Sequence, residues 1–351
     1  MHSRLLLVLL VLTLSMPTLA IAGQVVINAV GDIMLAGKGG AALERMGYDY
    51  PFAATVAALK AGDLAMGNLE TPITSGGLEF KDKSYRFKAV PQAAAALKRA
   101  GFRVLTMANN HMLDYGTDGL LDTIYHLDKQ GIKHSGAGKS LTEARREAII
   151  DCNGNRIAFL SYSLTYPAEF FATGMRAGTA PGYPSYYEKD ISRIRANADY
   201  VIVSFHWGKE GAATPKRYQV STARRAVEAG ADLVIGHHPH VLQGIESYRN
   251  GLIFYSLGNF AFGSLSRNSD RSIIARITLD RGIKEAELIP INVLNHEVRF
   301  QPAILKGKRG KDVIERIRAI SSPMGTTIRD ENGRYLIDLQ QTGQTLAERR
   351  E

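Results

Sequence analysis

"GADLVIGHHPHVLQG", residues 230–244, places His237, His238 and His240 at the end of an apolar run, with Pro239 in the turn between them. Imidazole is the commonest neutral metal ligand and a frequent general acid or base. The tip of a buried strand is a rigid place to mount it. One such cluster decides nothing, since a polar turn can equally be solvated. The fold and the function both depend on whether other strand ends supply partners.

Several do. "QVVINAVGD" (24–32) reads as a buried strand ending at Asp32, and "DLAMGNLE" (63–70) as a short strand ending at Glu70. "FRVLTMANNH" (102–111) reads as a strand running to Asn110 and His111, and "ADYVIVSFHWG" (198–208) as one ending at His206. The opening stretch continues the series as a strand ending at His238. Helical patterns lie between them. "PFAATVAALKAG" starts at Pro51 and stops at Gly62, "VPQAAAALKRAG" closes at Gly101, and "TDGLLDTIYHLDKQG" is capped by Thr117 or Asp118. A further helix covers 215–229. Strand–helix alternation of this kind argues an α/β fold with helices covering the sheets. Beyond residue 242 the pattern turns antiparallel. "VLQGIESY", "RNG" and "LIFYSLGNF" read as one hairpin, and "RSIIARITLD", "RG" and "IKEAELIPINV" as another.

In open α/β sheets, ligands bind beyond the carboxyl ends of the strands. Two carboxylates, one amide and four imidazoles would meet at one edge of the fold. Mixed nitrogen and oxygen donors suit Mn, Fe, Zn or Co rather than Ca or a thiolate site. The count allows two ions sharing a bridging carboxylate, and two ions about 3.5–4 Å apart can hold a phosphate and activate a water. Taken singly, each residue has a plainer reading. Asp32 after a glycine is an ordinary turn or cap, Glu70 a surface carboxylate, the Asn pair a turn, and His206 a core histidine. Their shared position at strand ends favours the metal site.

The chain has 351 residues, 45% of them hydrophobic and 22% charged, an ordinary globular composition with ample core. Residues 1–22, "MHSRLLLVLLVLTLSMPTLAIA", read as a signal peptide: Arg4 precedes an apolar run broken by Pro17, and Ala20-Ile21-Ala22 is a small-x-small cleavage site. The rival reading is an uncleaved N-terminal membrane anchor. The expected location is periplasmic or cell-surface. Cys152 is the single cysteine, so no internal disulfide forms and the core alone supplies stability. It sits by a hairpin turn, "DCNGNR". The net charge of +9 favours anionic partners, but no basic run interleaved with aromatics marks a nucleic-acid surface. The densest cluster, "KGKRGK" (306–311), is short. The domain is expected over 23–325, with 326–351 a tail that loses apolar periodicity.

Long motifs then show a resemblance. "GDIML", "GNLETPI", "LTMANNHMLDYG", "VSFHWGKE", "GADLVIGHHPHVLQG" and "YSLGNFAFG" resemble the successive motifs of the CapA family, bacterial capsule or poly-γ-glutamate biosynthesis proteins. The family is similar in fold to calcineurin-like metallophosphoesterases. The resemblance implies a four-layer α/β sandwich: two mixed sheets flanked by helices, with a metal centre at the strand ends. It implies metal ligands at Asp32, Glu70 (where those enzymes carry a bridging aspartate), Asn110, His206, His238 and His240. His111 becomes the general acid, and His237 falls outside the His-x-His spacing and reads as flanking. Asp114 and Glu210 are candidates to orient the ligands. One departure is clear. The phosphoesterase first motif is Asp-x-His, and here the third position is Met34. One imidazole is therefore missing, leaving one or two divalent transition metals (Mn, Fe or Zn) in prospect. The implied function is phosphoester hydrolysis in making, exporting or anchoring an anionic surface polymer, alongside membrane-embedded synthesis or export proteins. The alternatives are a metal-dependent amide hydrolase and a non-catalytic polymer-binding component.

Overall fold

A computed structural model describes residues 22–339, so the expected leader lies outside the described residues, apart from Ala22. Two mixed sheets pack face to face. The first has ten strands. Its main path runs Ile328–Glu331, Arg334–Ile337, Ile283–Asn292, Arg271–Leu279, Val25–Met34, Leu64–Leu69, Phe102–Thr106 and Lys133–Ser135. Asn259–Phe262 also pairs, in parallel, with the far end of Val25–Met34. The second sheet has six strands, in the order Ile245–Tyr248, Gly251–Phe254, Leu233–His237, Tyr200–His206, Asn155–Ser163 and Ala148–Cys152.

Between the sheets lies one apolar layer, including Val25, Ile27, Met66 and Val104 from one side and Phe159, Ile202, Leu233 and Phe254 from the other. Helices Gln92–Ala100 and Gly116–Lys129 cover the outer face of the first sheet through Ala93, Leu97, Leu120 and Leu127. Helices Pro184–Arg195 and Arg217–Glu228 cover the second through Tyr187, Ile191, Ala223 and Ala226. The four layers expected from the sequence are therefore present. Central strands buried on both faces explain why they read as unbroken apolar runs. Among the described residues, no helix is long and apolar enough to cross a membrane.

Both expected hairpins form, as does the one at Cys152, where Cys152 pairs with Asn155 across Asn153 and Gly154. Those two turn residues have φ of 49° and 76°, the left-handed backbone that a tight hairpin needs. Several bounds differ from the expectation, and the first strand runs on to Met34 rather than ending at Asp32. The third strand stops at Thr106 rather than His111, because Asn109 turns the chain by accepting a bond from the His111 amide. The next helix begins at Gly116 after Tyr115, so Thr117 and Asp118 lie in its first turn rather than at its cap. The segment after Pro51 is broken into a 3-10 turn, Tyr50–Phe52, and a short helix, Val56–Lys60. Finally, part of the expected tail is structured. Ile328–Glu331 and Arg334–Ile337 form a hairpin on Ile283–Asn292, carrying the sheet beyond residue 325.

Candidate metal centre

The first strand and the segment ending in Asn259–Phe262 cross at Gly31. A Cβ there would lie 1.8 Å from the Gly258 carbonyl oxygen. That close approach lets the Asp32 amide donate to the same oxygen at 3.0 Å, fixing the aspartate at the inner end of the sandwich. Asp32 and Glu70 are both fully buried. The Asn68 amide bridges them, donating to Asp32 Oδ1 at 2.9 Å and Glu70 Oε2 at 3.2 Å. Asn109 holds Asn68 in turn, donating to its Oδ1 at 3.1 Å.

The second sheet supplies the imidazoles. His206 ends its strand, with Nε2 2.8 Å from Asn110 Oδ1 and 3.5 Å from Glu70 Oε1. The opening strand ends at His237, and His238 and His240 follow it in a turn with φ of 93° and 58°. Left-handed backbone at two non-glycine residues is strained, and strain of this kind gathers where side chains must be aimed. The rings of His206 and His238 lie 4.8 Å apart, and those of His238 and His240 5.9 Å apart. His240 reaches Asp32 Oδ2 with Nδ1 at 3.2 Å and Glu70 Oε1 with Nε2 at 3.7 Å. Its Nδ1 also lies 2.9 Å from Asn259 Oδ1.

His237 is not merely flanking: it is fully buried, with Nδ1 3.0 Å from Asp32 Oδ1.

Charges in the cluster are strongly biased. Burial raises the Asp32 carboxyl, but the imidazoles of His237 and His240 outweigh it and hold the group well below the usual range. Burial, then the charge of Asp32, pushes Glu70 well above it. Burial and His238 hold His206 neutral. Burial and His240 bring His238 down to about 3. Burial opposes protonation of His240 too, but Glu70 and Asp32 raise it to about 9. Two carboxylates this close and this dry repel, and a cation between them relieves that repulsion.

One atom tests the fit. Glu70 Oε1 is buried and accepts no hydrogen bond among the described residues. It faces His206 and His240. Glu70, His206 and His238 can each bring one ligand atom within 4.8 Å of the others; so can Asp32, Glu70 and His240, and so can Glu210, His238 and His240. Oxygen and imidazole donors fit a divalent transition metal.

Beside this set stands His111. Its Nδ1 is 2.6 Å from Asp114 Oδ2, and its ring lies against Phe87, 5.1 Å between centroids. Lys83, from the loop between the second strand and helix Gln92–Ala100, reaches Asp114 Oδ1 at 2.6 Å and His111 Nδ1 at 2.8 Å, and also bonds the Asn110 carbonyl. Burial lowers His111 against the pull of Asp114, and burial likewise lowers Lys83. All the residues expected from the sequence thus gather at one end of the sandwich, with Glu210 exposed at the rim. Asn68, Asn109, Lys83, His237 and Asn259 were not expected there. Asn68 was the most findable, as an amide inside an apolar strand.

Residues 26–264 match the family described as Bacterial capsule synthesis protein PGA_cap. Over 278 residues the chain is 35% identical to the capsule biosynthesis protein CapA of Bacillus anthracis, covering 77% of this chain and 68% of that one. Over 313 residues it is 33% identical to the PGA biosynthesis protein CapA of Bacillus subtilis, covering 88% and 81%. Among solved structures it is similar to the Haemophilus influenzae NAD nucleotidase, with a TM-score of 0.49 and 12% identity over 86% of this chain and 56% of that one. It is also similar to the calcineurin-like phosphoesterase YfkN of Bacillus subtilis, with a TM-score of 0.44 and 14% identity over 84% and 97%.

Proposed function

The chain belongs to the bacterial capsule synthesis protein family PGA_cap, and from that premise we propose that it is a metal-dependent phosphoester hydrolase serving an anionic surface polymer. The polymer in view is poly-γ-glutamate or a related capsule, and the step is its assembly, export or anchoring. What carries the reading is the buried Glu70 Oε1, which accepts no hydrogen bond among the described residues and is set among imidazoles from the opposite sheet.

Asp32, Glu70, Asn110, His206, His238 and His240 would hold the metal, with His237 and Asn68 fixing Asp32. A divalent cation there supplies Lewis acidity toward a phosphoryl oxygen and acidifies a water. The remaining work belongs to side chains. Asp114 holds His111 by Nδ1, leaving Nε2 to deliver a proton to the leaving oxygen. Lys83 sets a positive charge beside that pair, suited to an anionic group. Phe87 and Phe262 wall the site against His111 and His240 and limit water.

Export fits this reading. The expected leader ends at Ala22, and the amide of the next residue, Gly23, donates to the Asn153 carbonyl at 2.7 Å. Membrane-embedded synthesis or export proteins are the proposed partners.

Metal content and turnover, measured on the same variants, test the proposal. His238→Ala should lose most bound metal. His111→Asn should keep it, yet lose about 10²–10⁴-fold in turnover of an alkyl phosphoester, and less on an aryl phosphate whose leaving group needs no proton. If His111→Asn cells make normal polymer while His238→Ala cells do not, the centre is structural and the protein a polymer-binding component. Cleavage of a γ-glutamyl amide without phosphoester turnover would instead establish the amide hydrolase.

A further inference from the structure

We propose that Glu210 is a metal ligand that, with His238 and His240, forms a second divalent-cation position in place of the imidazole missing at residue 34. This rests on the metal-centre reading above and deepens it.

Position 34 offers no donor. Met34 is buried with Ala36 and Phe262 and packs against Phe87, so this corner of the site is filled by apolar atoms. On the other side, a carboxylate oxygen of Glu210 and one ring nitrogen each of His238 and His240 lie within 4.8 Å of one another. Carboxylate and imidazole donors at roughly 2.0–2.2 Å from one ion stand no more than about 4.4 Å apart, so a small side-chain adjustment closes this set. His238 Nδ1 is buried and has no hydrogen-bond partner among the described residues. It is a desolvated donor atom left open inside the cluster.

The carrier of Glu210 is fixed to the histidine turn. The Gly211 amide donates to the Pro239 carbonyl at 2.8 Å, and Gln243 Nε2 donates to the Ala212 carbonyl at 2.7 Å. Gly208 and Gly211 bracket the glutamate at φ of 96° and 73°, a left-handed backbone that glycine adopts freely. Glu210 is exposed, and its charge acts on the His240 imidazole. An exposed carboxylate close to two aimed imidazoles, and tied to their turn by its backbone, is placed to receive a ligand from solvent. The position it completes is the outer one, nearer bulk water than the Glu70 side.

Equilibrium dialysis of the full mature chain against Mn(II), read by elemental analysis and electron paramagnetic resonance, tests the proposal. The native chain should take up two ions with an exchange-coupled spectrum. Glu210→Gln, an exposed and nearly isosteric change, should hold one ion with an isolated Mn(II) spectrum. Its affinity for the second should fall about tenfold or more, and as much in high salt as in low. If Glu210→Gln binds two ions as tightly as the native chain, Glu210 is no ligand and the metal-centre reading survives. If both forms bind a single ion, the second position does not exist, and again the first reading stands. Binding of no ion by the native chain would overturn both.

Discussion

Asn68→Leu removes the amide that bridges two buried carboxylates while nearly keeping the side chain's volume. In the native chain Asn68 Nδ2 donates 2.9 Å to Asp32 and 3.2 Å to Glu70. The two bonds differ in worth. Asp32 is held ionised by His237 and His240, despite burial, so its bond is to a charge and contributes about 1.5–3 kcal/mol. Glu70 is pushed toward its neutral form by burial and by Asp32, and its bond belongs to the ordinary range of about 0.5–1.5 kcal/mol. Asn109 loses its bond to Asn68 but keeps Leu69 O at 2.8 Å. Metal-free Asn68→Leu should therefore be less stable by roughly 2–4 kcal/mol. Urea unfolding followed by circular dichroism, in chelator and in saturating metal, measures it. A cation takes over the carboxylates' electrostatic partnership, so the penalty should shrink on loading. A penalty below about 0.5 kcal/mol in chelator, or one that metal leaves unchanged, would refute the claim that Asn68 acts by pairing the carboxylates.

Gly31→Ala puts a methyl 1.8 Å from the Gly258 carbonyl oxygen. It should cost roughly 1–3 kcal/mol as a lowered melting temperature and weaken metal binding by displacing Asp32; native-like values for both would show that the strands can part freely. In the metal-free protein His240 is raised from 6.5 to about 9 by Glu70 and Asp32, against burial. A raised imidazole contributes stability that is complete below its unfolded value and lost as pH climbs through the folded one. The chelated chain should therefore lose about 1–3 kcal/mol between those two values, and His240→Gln should flatten the slope in urea titrations. His238, held near 3, titrates below that window.

The residues legible from sequence were those whose signal is local. Glu70 and His206 each close an apolar run, and there the pattern that marks a strand also marks its end; Asp32 stood out as the charge in an apolar run that continues to Met34. The Asn110–His111 pair was found but set on a strand, because polar side-chain bonds such as that from Asn109 to the His111 amide turn the chain without changing its composition. His237 was misjudged because the His-x-His spacing leaves it out and carries no sign of the fold that turns its ring onto Asp32. Lys83 gave no warning. It lies in a loop of mixed charge, "FKDKSYRFK", and acquires its role only by folding onto Asp114, 31 residues away. The C-terminal hairpin did carry a signal in Asn332-Gly333, a favoured tight-turn pair, but its short, highly charged flanks obscured the strands.

The donor set is divided between the two sheets: Asp32, Glu70 and Asn110 from one, His206, His238 and His240 from the other. The bond from the His238 amide to Asp32 spans 206 residues of chain, and Asn259, still later in sequence, touches His240. No contiguous half of the polypeptide contains all of these donors. If the proposed centre takes an ion, capture is a late event, possible only once distant segments have docked, and it would lock the sandwich shut at that end. Nascent or translocating chain offers scattered carboxylates and imidazoles with no common focus. On the proposed reading, a copy delivered unfolded would arrive empty and be loaded from the ions of the compartment where it folds, so that compartment, more than the intrinsic affinity order of the donors, would set which metal it carries.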